Sequence, residues 1–384
     1  MENYSSDNAK WISGEAGGRK WRVSDTTDTI LTTVIPMKKL KGFHNNNFSS
    51  NQKIAKDSGG FALLANPSLA ENLDVEKLID RHIEFGVNDN DLRMTLDFPI
   101  PRCVPMDELE VTKRQLMTSY WWEEMDKSLP GTIPIFHGRN REEVKRHRYM
   151  YNMDDNRIFA FGSNLAQSTP PQMDEMGRER KKPKNKQLVQ REHLWNIITD
   201  VSKDFRATDQ KWFLLGAGGM KASQLAWIHG ASYVDGTSWR ISAMHHQLML
   251  PEIGRYAYIG RNRNNTQKEI IRNHLTYLWN DVEDYPFHKD RVNISLDELL
   301  KSMADGTGNA MGLRSKHNVW ALDRDANFAT NFAGDPEGYA NHLLTISKHD
   351  GRFRKLVKKS IISVKSATIQ NNLFNYTSLE KCAV

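Results

Sequence analysis

The sequence predicts an α/β protein: a (β/α)8, TIM-like barrel with a mainly helical C-terminal extension. Three observations predict it. Eight short strand-like segments recur along the chain, helical patterns lie between most of them, and polar residues or glycines follow strand after strand. Strands alternating with helices imply a parallel sheet. An open doubly wound sheet is the alternative, because short apolar runs do not separate the two.

The strand-like segments are Ile30 to Pro36, Gln52 to Lys56, Leu92 to Leu96, Thr132 to Phe136, Arg157 to Phe161, Lys211 to Leu215, Ala231 to Val234 and Arg255 to Ile259. Helical spacing runs from Asp74, an N-cap, through Phe85, then over Met106 to Leu129, Gln187 to Phe205 and Met220 to His229. The connection Met37 to Asn51 is too polar and short for an ordinary crossover helix, so the barrel is expected to be irregular near its N-terminus. Residues 1–25, rich in Ser, Asp, Asn and Gly, read as an irregular arm before a catalytic barrel over 26–265. Residues 266–384 read as the helical extension, with patterns at Gln267 to Val282, Ser295 to Met303, Pro336 to Ser347 and Gly351 to Ile362.

Composition narrows the class. The chain has 384 residues, 39% hydrophobic and 26% charged, a globular balance with a polar surface. No stretch approaches the roughly 18 apolar residues of a membrane span, and Met1 to Gly18 has no apolar secretory core, so a cytoplasmic protein without membrane association is expected. Two cysteines, Cys103 and Cys382, exclude a disulfide framework and a four-cysteine metal site. Net charge +6 permits a polyanionic partner without requiring one. The segment 172–186, between a strand and a helix, concentrates Arg178, Arg180, Lys181, Lys182, Lys184 and Lys186. It reads either as a solvated charge run or as a phosphate-contacting loop.

In a barrel, reactive groups gather at the carboxyl ends of the strands. Asp57-Ser58-Gly59-Gly60-Phe61, Asp97, His137-Gly138, Gly162-Ser163-Asn164, Gly216-Ala217-Gly218-Gly219 and Asp235-Gly236 all occupy such places. Singly, a strand-end Asp is a cap or turn former, and His137 a structural histidine. Three strand-end aspartates beside glycine-rich turns together suggest a site where a flat ligand approaches the backbone.

These residues resemble a family. Asp57-Ser58-Gly59-Gly60-Phe61 is similar to the signature of tRNA-guanine transglycosylases. Thr95-Leu96-Asp97, Phe136-His137-Gly138, Phe161-Gly162-Ser163, Gly216-Ala217-Gly218 and Gly230-Ala231-Ser232-Tyr233-Val234-Asp235 follow in that family's order, across about half of the chain. His137 stands where the family has glutamine, and Ser163 where it has a second turn glycine. The tRNA enzymes also carry a zinc site of three cysteines and one histidine after the nucleophile. Only Cys382 lies beyond Asp235, so no structural zinc is expected. The divergent DNA-guanine transglycosylases of bacteria and phages look closer.

That resemblance implies exchange of guanine in DNA for a free 7-deazaguanine base of the preQ0 type, with the base as substrate and no cofactor. Asp235 is then the nucleophile and Asp57 the acid–base partner. Asp97 accepts from guanine N1–H and the exocyclic amine. Ser58, His137, Gly162, Ser163, Gly216, Ala217 and Gly218 complete the base pocket. The basic loop, with Arg240, Arg261 and Arg263, holds phosphates. A tRNA enzyme lacking zinc, a non-catalytic nucleic-acid-binding paralogue and a two-aspartate glycoside hydrolase remain alternatives. Trp121-Trp122 reads as core or as a base-stacking pair. His245-His246 with His317 is a weak metal candidate, since adjacent histidines point different ways.

Overall fold

A computed structural model describes residues 10–15, 29–34, 53–60, 63, 73–86, 91–100, 106–151, 153, 157–162, 195, 198–199, 202, 211–216, 219–236, 238–260, 265–306 and 308–381. The protein is α/β. Eight strands form one sheet: β1 (Lys10–Glu15), β2 (Thr29–Thr33), β3 (Lys53–Asp57), β4 (Leu92–Arg93), β5 (Ile135–Phe136), β6 (Phe159–Phe161), β7 (Trp212–Leu214) and β8 (Tyr233–Gly236). They are ordered β4-β3-β2-β1-β8-β7-β6-β5, and every pairing in the sheet is parallel. The strands at the two ends of that order are themselves joined. Met94, just past β4, forms a parallel bridge with Ile133, just before β5. Thr95 N donates to Ile133 O at 3.1 Å and Ile133 N to Arg93 O at 2.6 Å.

Side chains alternate between the sheet's two faces, as strand geometry requires. One face supplies Ala55, Leu92, Met94, Ile133, Ile135, Ala160 and Phe213 to a single buried cluster, with Tyr233 packed against it. Its contributors come from β3 through β8. The other face supplies Phe136, Phe159, Phe161, Trp212, Leu214 and Val234 to the main core, which continues into the helices.

The helices between the strands start where the sequence places caps. In α1 (Val75–Phe85), Asp74 accepts from Lys77 N. In α2 (Glu108–Ser128), Asp107 accepts from Glu110 N. In α3 (Arg141–Tyr149), Asn140 accepts from Glu143 N. α4 (Met220–Ile228) joins β7 to β8, and α5 (Ser238–Met244) follows β8. The C-terminal part is helical throughout: α6 (Asn265–Asp281), α7 (Leu296–Ala304), α8 (Gly308–Thr330), α9 (Pro336–Ile346) and α10 (Gly351–Lys381). α8 packs against α5 and β1, which joins this extension to the sheet. None of these helices is long and apolar enough to cross a membrane, among the described residues.

Two expectations are corrected. Lys10–Glu15, inside the supposed irregular arm, is a sheet strand between β2 and β8. Arg255 to Ile259 is not a strand of this sheet. It contributes β10 (Arg255–Tyr258), antiparallel to β9 (Gln247–Leu250). The residues before Lys10 and after Glu15 are polar and glycine-rich, which hid the strand in their midst. Arg255–Tyr258 has the alternation of a strand, and composition does not say which sheet it joins.

The sheet also buries an ion pair. Lys56, fully buried on β3, lies with Nζ 2.7 Å from Asp91 Oδ2 and donates to Gly86 O. Burial pulls the ammonium's pKa down, and Asp91 pulls it back up. Removing one partner of such a pair leaves the other charge buried. Lys56→Met should therefore cost about 3–5 kcal/mol in urea unfolding, and Lys56→Met with Asp91→Leu should recover most of it.

Candidate functional site

The parallel sheet brings the sequence candidates to one end. Asp57 closes β3, Asp97 follows β4, His137 follows β5, Gly162 follows β6, Gly216 follows β7 and Asp235 lies in the last turn of β8. In a parallel sheet these are all carboxyl-end positions, where residues from several strands meet.

Asp235 is held by the turn after β7. Gly216 N donates to Asp235 Oδ1 at 2.6 Å. Gly216 has φ 66°, in the left-handed region that suits glycine. A side chain there would strain the turn that aims this amide. The carboxyl of Asp235 is buried, and burial pushes its pKa up to about 7 against the pull of the Gly216 and Asp235 amides. It is thus poised between acid and carboxylate near neutrality.

Asp97 and His137 form a pair across the joint between β4 and β5. His137 Nε2 lies 2.9 Å from Asp97 Oδ2, with His137 fully buried and the Asp97 side chain 10% exposed. The backbone of His137 is clamped on both sides. Its N–H donates to His147 Nδ1 at 2.9 Å, and its carbonyl accepts from Gln115 Nε2 at 2.8 Å. Burial holds His147 well below the usual histidine pKa, so it is neutral and accepts through Nδ1. Gly162 is needed because its Cβ would fall 2.4 Å from His137 Cε1. The Nε2 of His137, the atom expected to meet a base carbonyl, faces Asp97. Gly162 likewise serves the wall behind that ring.

The turn after β3 reaches the same pair. Gly59 N donates to Asp57 Oδ1 at 3.2 Å, which fixes the half-buried Asp57 at the strand end. Two residues on, Gly60 backs onto Asp97: a Cβ there would lie 1.8 Å from Asp97 Oδ1 and 2.3 Å from Asp97 O. Ser58, by contrast, is fully buried. Its hydroxyl donates to Met94 O at 2.6 Å and meets His82 Nε2 at 3.0 Å. Because the one hydroxyl proton goes to Met94, His82 is the Nε2–H tautomer. Burial pulls its pKa to about 3, so it is neutral. Ser58 therefore braces β3 against β4 instead of facing a ligand, a correction to its expected place in the pocket.

Arg240 is half-buried on α5, five residues after Asp235 in the chain. Ser163, Ala217, Gly218, Arg261, Arg263 and the whole of Arg178 to Lys186 lie outside the described residues. So do Cys103 and Cys382. Trp121 and Trp122 are core: Trp122 Nε1 donates to Thr132 O at 2.8 Å, and its ring packs edge-on to Tyr151. His317 is buried between Tyr285 Oη and Met249 O, away from His245-His246 in any shared cluster. No group of three or more His, Cys, Asp or Glu suited to a metal occurs among the described residues. The three-cysteine zinc set of tRNA enzymes does not fit a chain with two cysteines. Gln115 and His147 were not anticipated. Both sit on helices with charged neighbours, and only the turn of the chain at His137 makes them polar clamps.

No known family model matches the chain, and no curated protein is significantly similar to it.

Two outcomes follow from this geometry. Below pH ~4, Asp235 is neutral both folded and unfolded. Between there and pH ~7 the unfolded carboxyl ionises first, so folding stability falls as pH rises, and above pH 7 the loss is constant. Asp235→Asn, which keeps an acceptor for Gly216, should stabilise the protein by at most about 4 kcal/mol above pH 7 and by nothing at pH 3. Thermal unfolding across that range checks it. Gly60→Ala should destabilise by about 1–3 kcal/mol, since Asp97 and its backbone must move, and urea unfolding reads that directly.

Proposed function

We propose that this protein is a DNA-guanine transglycosylase, exchanging guanine in DNA for a free 7-deazaguanine base of the preQ0 type. The observation that carries the reading is the placement of three aspartates, Asp57, Asp97 and Asp235, at the carboxyl ends of strands in one parallel sheet, with Asp235 buried and its pKa near 7.

Within this reading the sheet closes into a (β/α)8 barrel. Its support is the Met94–Ile133 bridge between the two end strands, and the single buried cluster drawn from β3 through β8. Base exchange breaks one N-glycosidic bond and makes another at the same sugar carbon. Two in-line displacements retain configuration, by the logic of retaining glycosidases. Asp235 Oδ attacks C1′ as guanine leaves, and the aspartyl–sugar ester is then displaced by N9 of the incoming base. Asp57 delivers a proton to the departing guanine and takes one from the incoming base. Asp97, steadied by His137 and Gly60, accepts from the N1–H and exocyclic amine edge. The target base must leave its stack or come from an unpaired strand. Arg178, Arg180, Lys181, Lys182, Lys184 and Lys186 supply charge for the phosphate backbone.

The test is exchange of labelled guanine on DNA and on tRNA, with nucleosides separated by mass spectrometry. Incorporation into DNA supports the reading, and incorporation into tRNA alone replaces the substrate. No incorporation into either, with guanine or a 7-deazaguanine, overturns it. The active enzyme should lose all exchange as Asp235→Asn. Its kcat/KM should rise with pH towards about 7, because the nucleophile must be ionised.

A further inference from the structure

At the first turn of α4, the helix that follows β7, opens a cavity of ≈ 240 Å³. A water occupies roughly 30 Å³ of liquid, so the space admits a small polyatomic anion with its first waters. Its walls come from separate elements: Lys221 on α4, Arg255 and Tyr256 on β10, Gln267 on α6, and His349 between α9 and α10.

The lining sets Lys221, Arg255 and His349 beside the apolar Ala257 and Ile270. Lys221 is paired with Asp350 and lies 5.4 Å above the Phe353 ring, which fixes its position. No carboxylate is ion-paired with Arg255 among the described residues. His349 is held below the usual histidine pKa by burial, then by the charges of Arg255 and Lys221, so the three groups face one another. The Tyr256 wall approaches Gly219, which itself lies close to Ser238, three residues after Asp235: a Cβ on Gly219 would be 3.9 Å from Ser238 Cβ. A Cβ on Gly219 would lie 2.8 Å from Tyr256 Oη, so only glycine lets that hydroxyl reach the start of α4. The N-cap of α4 is Gly219, which itself supplies no capping side chain, and a helix start favours an anion. The cavity with Arg255 and Lys221 therefore lies by a helix start three residues along the chain from Gly216.

We infer that this cavity is a phosphate-binding subsite, and that its occupant is a phosphodiester of the bound polynucleotide next to the nucleotide that Asp235 attacks. The polynucleotide part rests on the transglycosylase reading, whereas the phosphate chemistry rests on the cavity alone. Arg255 supplies the forked donor and Lys221 a point charge, with Tyr256 adding a hydroxyl donor. Such a contact fixes the register of the strand and carries no sequence preference.

The test is binding of a short single-stranded oligodeoxynucleotide to the full chain at several salt concentrations. Wild type, Arg255→Gln and Arg255→Lys are compared, with inorganic phosphate as competitor and circular dichroism to confirm folding. Arg255→Gln should lower the magnitude of the log–log salt slope by about 0.7, the value for one phosphate contact on a single strand, and Arg255→Lys should keep most of it. Inorganic phosphate should compete with the oligonucleotide in wild type and less in Arg255→Gln. An unchanged slope, with phosphate binding still sensitive to Arg255→Gln, would make free phosphate the occupant and overturn the phosphodiester assignment. An unchanged slope with no effect on phosphate would remove the subsite. If Arg255→Gln does not fold, Tyr256→Phe is the second probe, and it must weaken phosphate competition for the subsite to stand. Because binding is read without turnover, a wild type that binds with this slope but exchanges no base would overturn the transglycosylase reading and keep the subsite.

Discussion

The hydrogen bond from Gly216 N to Asp235 Oδ1, at 2.6 Å, sets the character of this end of the molecule. It joins the turn after β7 to the end of β8 and gives a buried carboxylate a strong donor. That amide and Asp235's own do not repay the desolvation of a full charge, so the pKa stays near 7 and not near 4. The group changes between acid and carboxylate within the neutral range. Further donors would make a better-settled carboxylate. The positive φ of Gly216 is the backbone cost of aiming that amide, and glycine carries it with little strain.

Around this point, polar side chains in the walls spend their hydrogen bonds on backbone. Ser58 bonds Met94 O, Gln115 bonds His137 O and Glu143 O, and His147 accepts from His137 N. The same device recurs in the extension. Asn318 accepts from Met249 N and donates to Trp239 O and Gln247 O, and Arg314 donates to Ala243 O at 2.7 Å. Each bond removes a backbone group that would otherwise be buried unpaired, and each fixes a turn next to α5 or a strand end. α8 thereby holds β9 and α5 in place, and α5 begins two residues after β8 ends. The extension is in this sense part of the site's support.

These buried polar groups also explain what could be read from sequence. Alternating strands and helices were legible, because β2 to β8 carry apolar runs and their glycine or aspartate ends. The site aspartates were legible for the same reason, since a strand end is a position that spacing identifies. β1 was hidden in a polar, glycine-rich context. α8 was hidden differently: its buried face includes Arg314, Ser315, His317, Asn318 and Asp325, so hydrophobic periodicity fails on a helix that is nevertheless packed. Ser58 and His137 were read by position, and position does not say which way a side chain turns. Only three-dimensional contact distinguishes a hydroxyl bonded to Met94 O from one facing a ligand.

The pairing of His137 with Asp97 bears on how a purine edge can be held. A carboxylate has about four lone-pair sites on two oxygens, and His137 Nε2 lies 2.9 Å from Oδ2. A base presenting two adjacent donors needs one further site on each oxygen, so the pair leaves enough acceptor capacity for both. His137 thus substitutes rigidity for a direct base contact. With its backbone clamped by His147 and Gln115 and its ring backed by Gly162, it fixes the plane of the Asp97 carboxylate, while Gly60 sets how closely the turn after β3 approaches. A glutamine at this place would offer its own donor and acceptor to the ligand. Histidine places its ring against the carboxylate instead, and in the proposed transglycosylase reading this leaves recognition to Asp97 and the backbone around it.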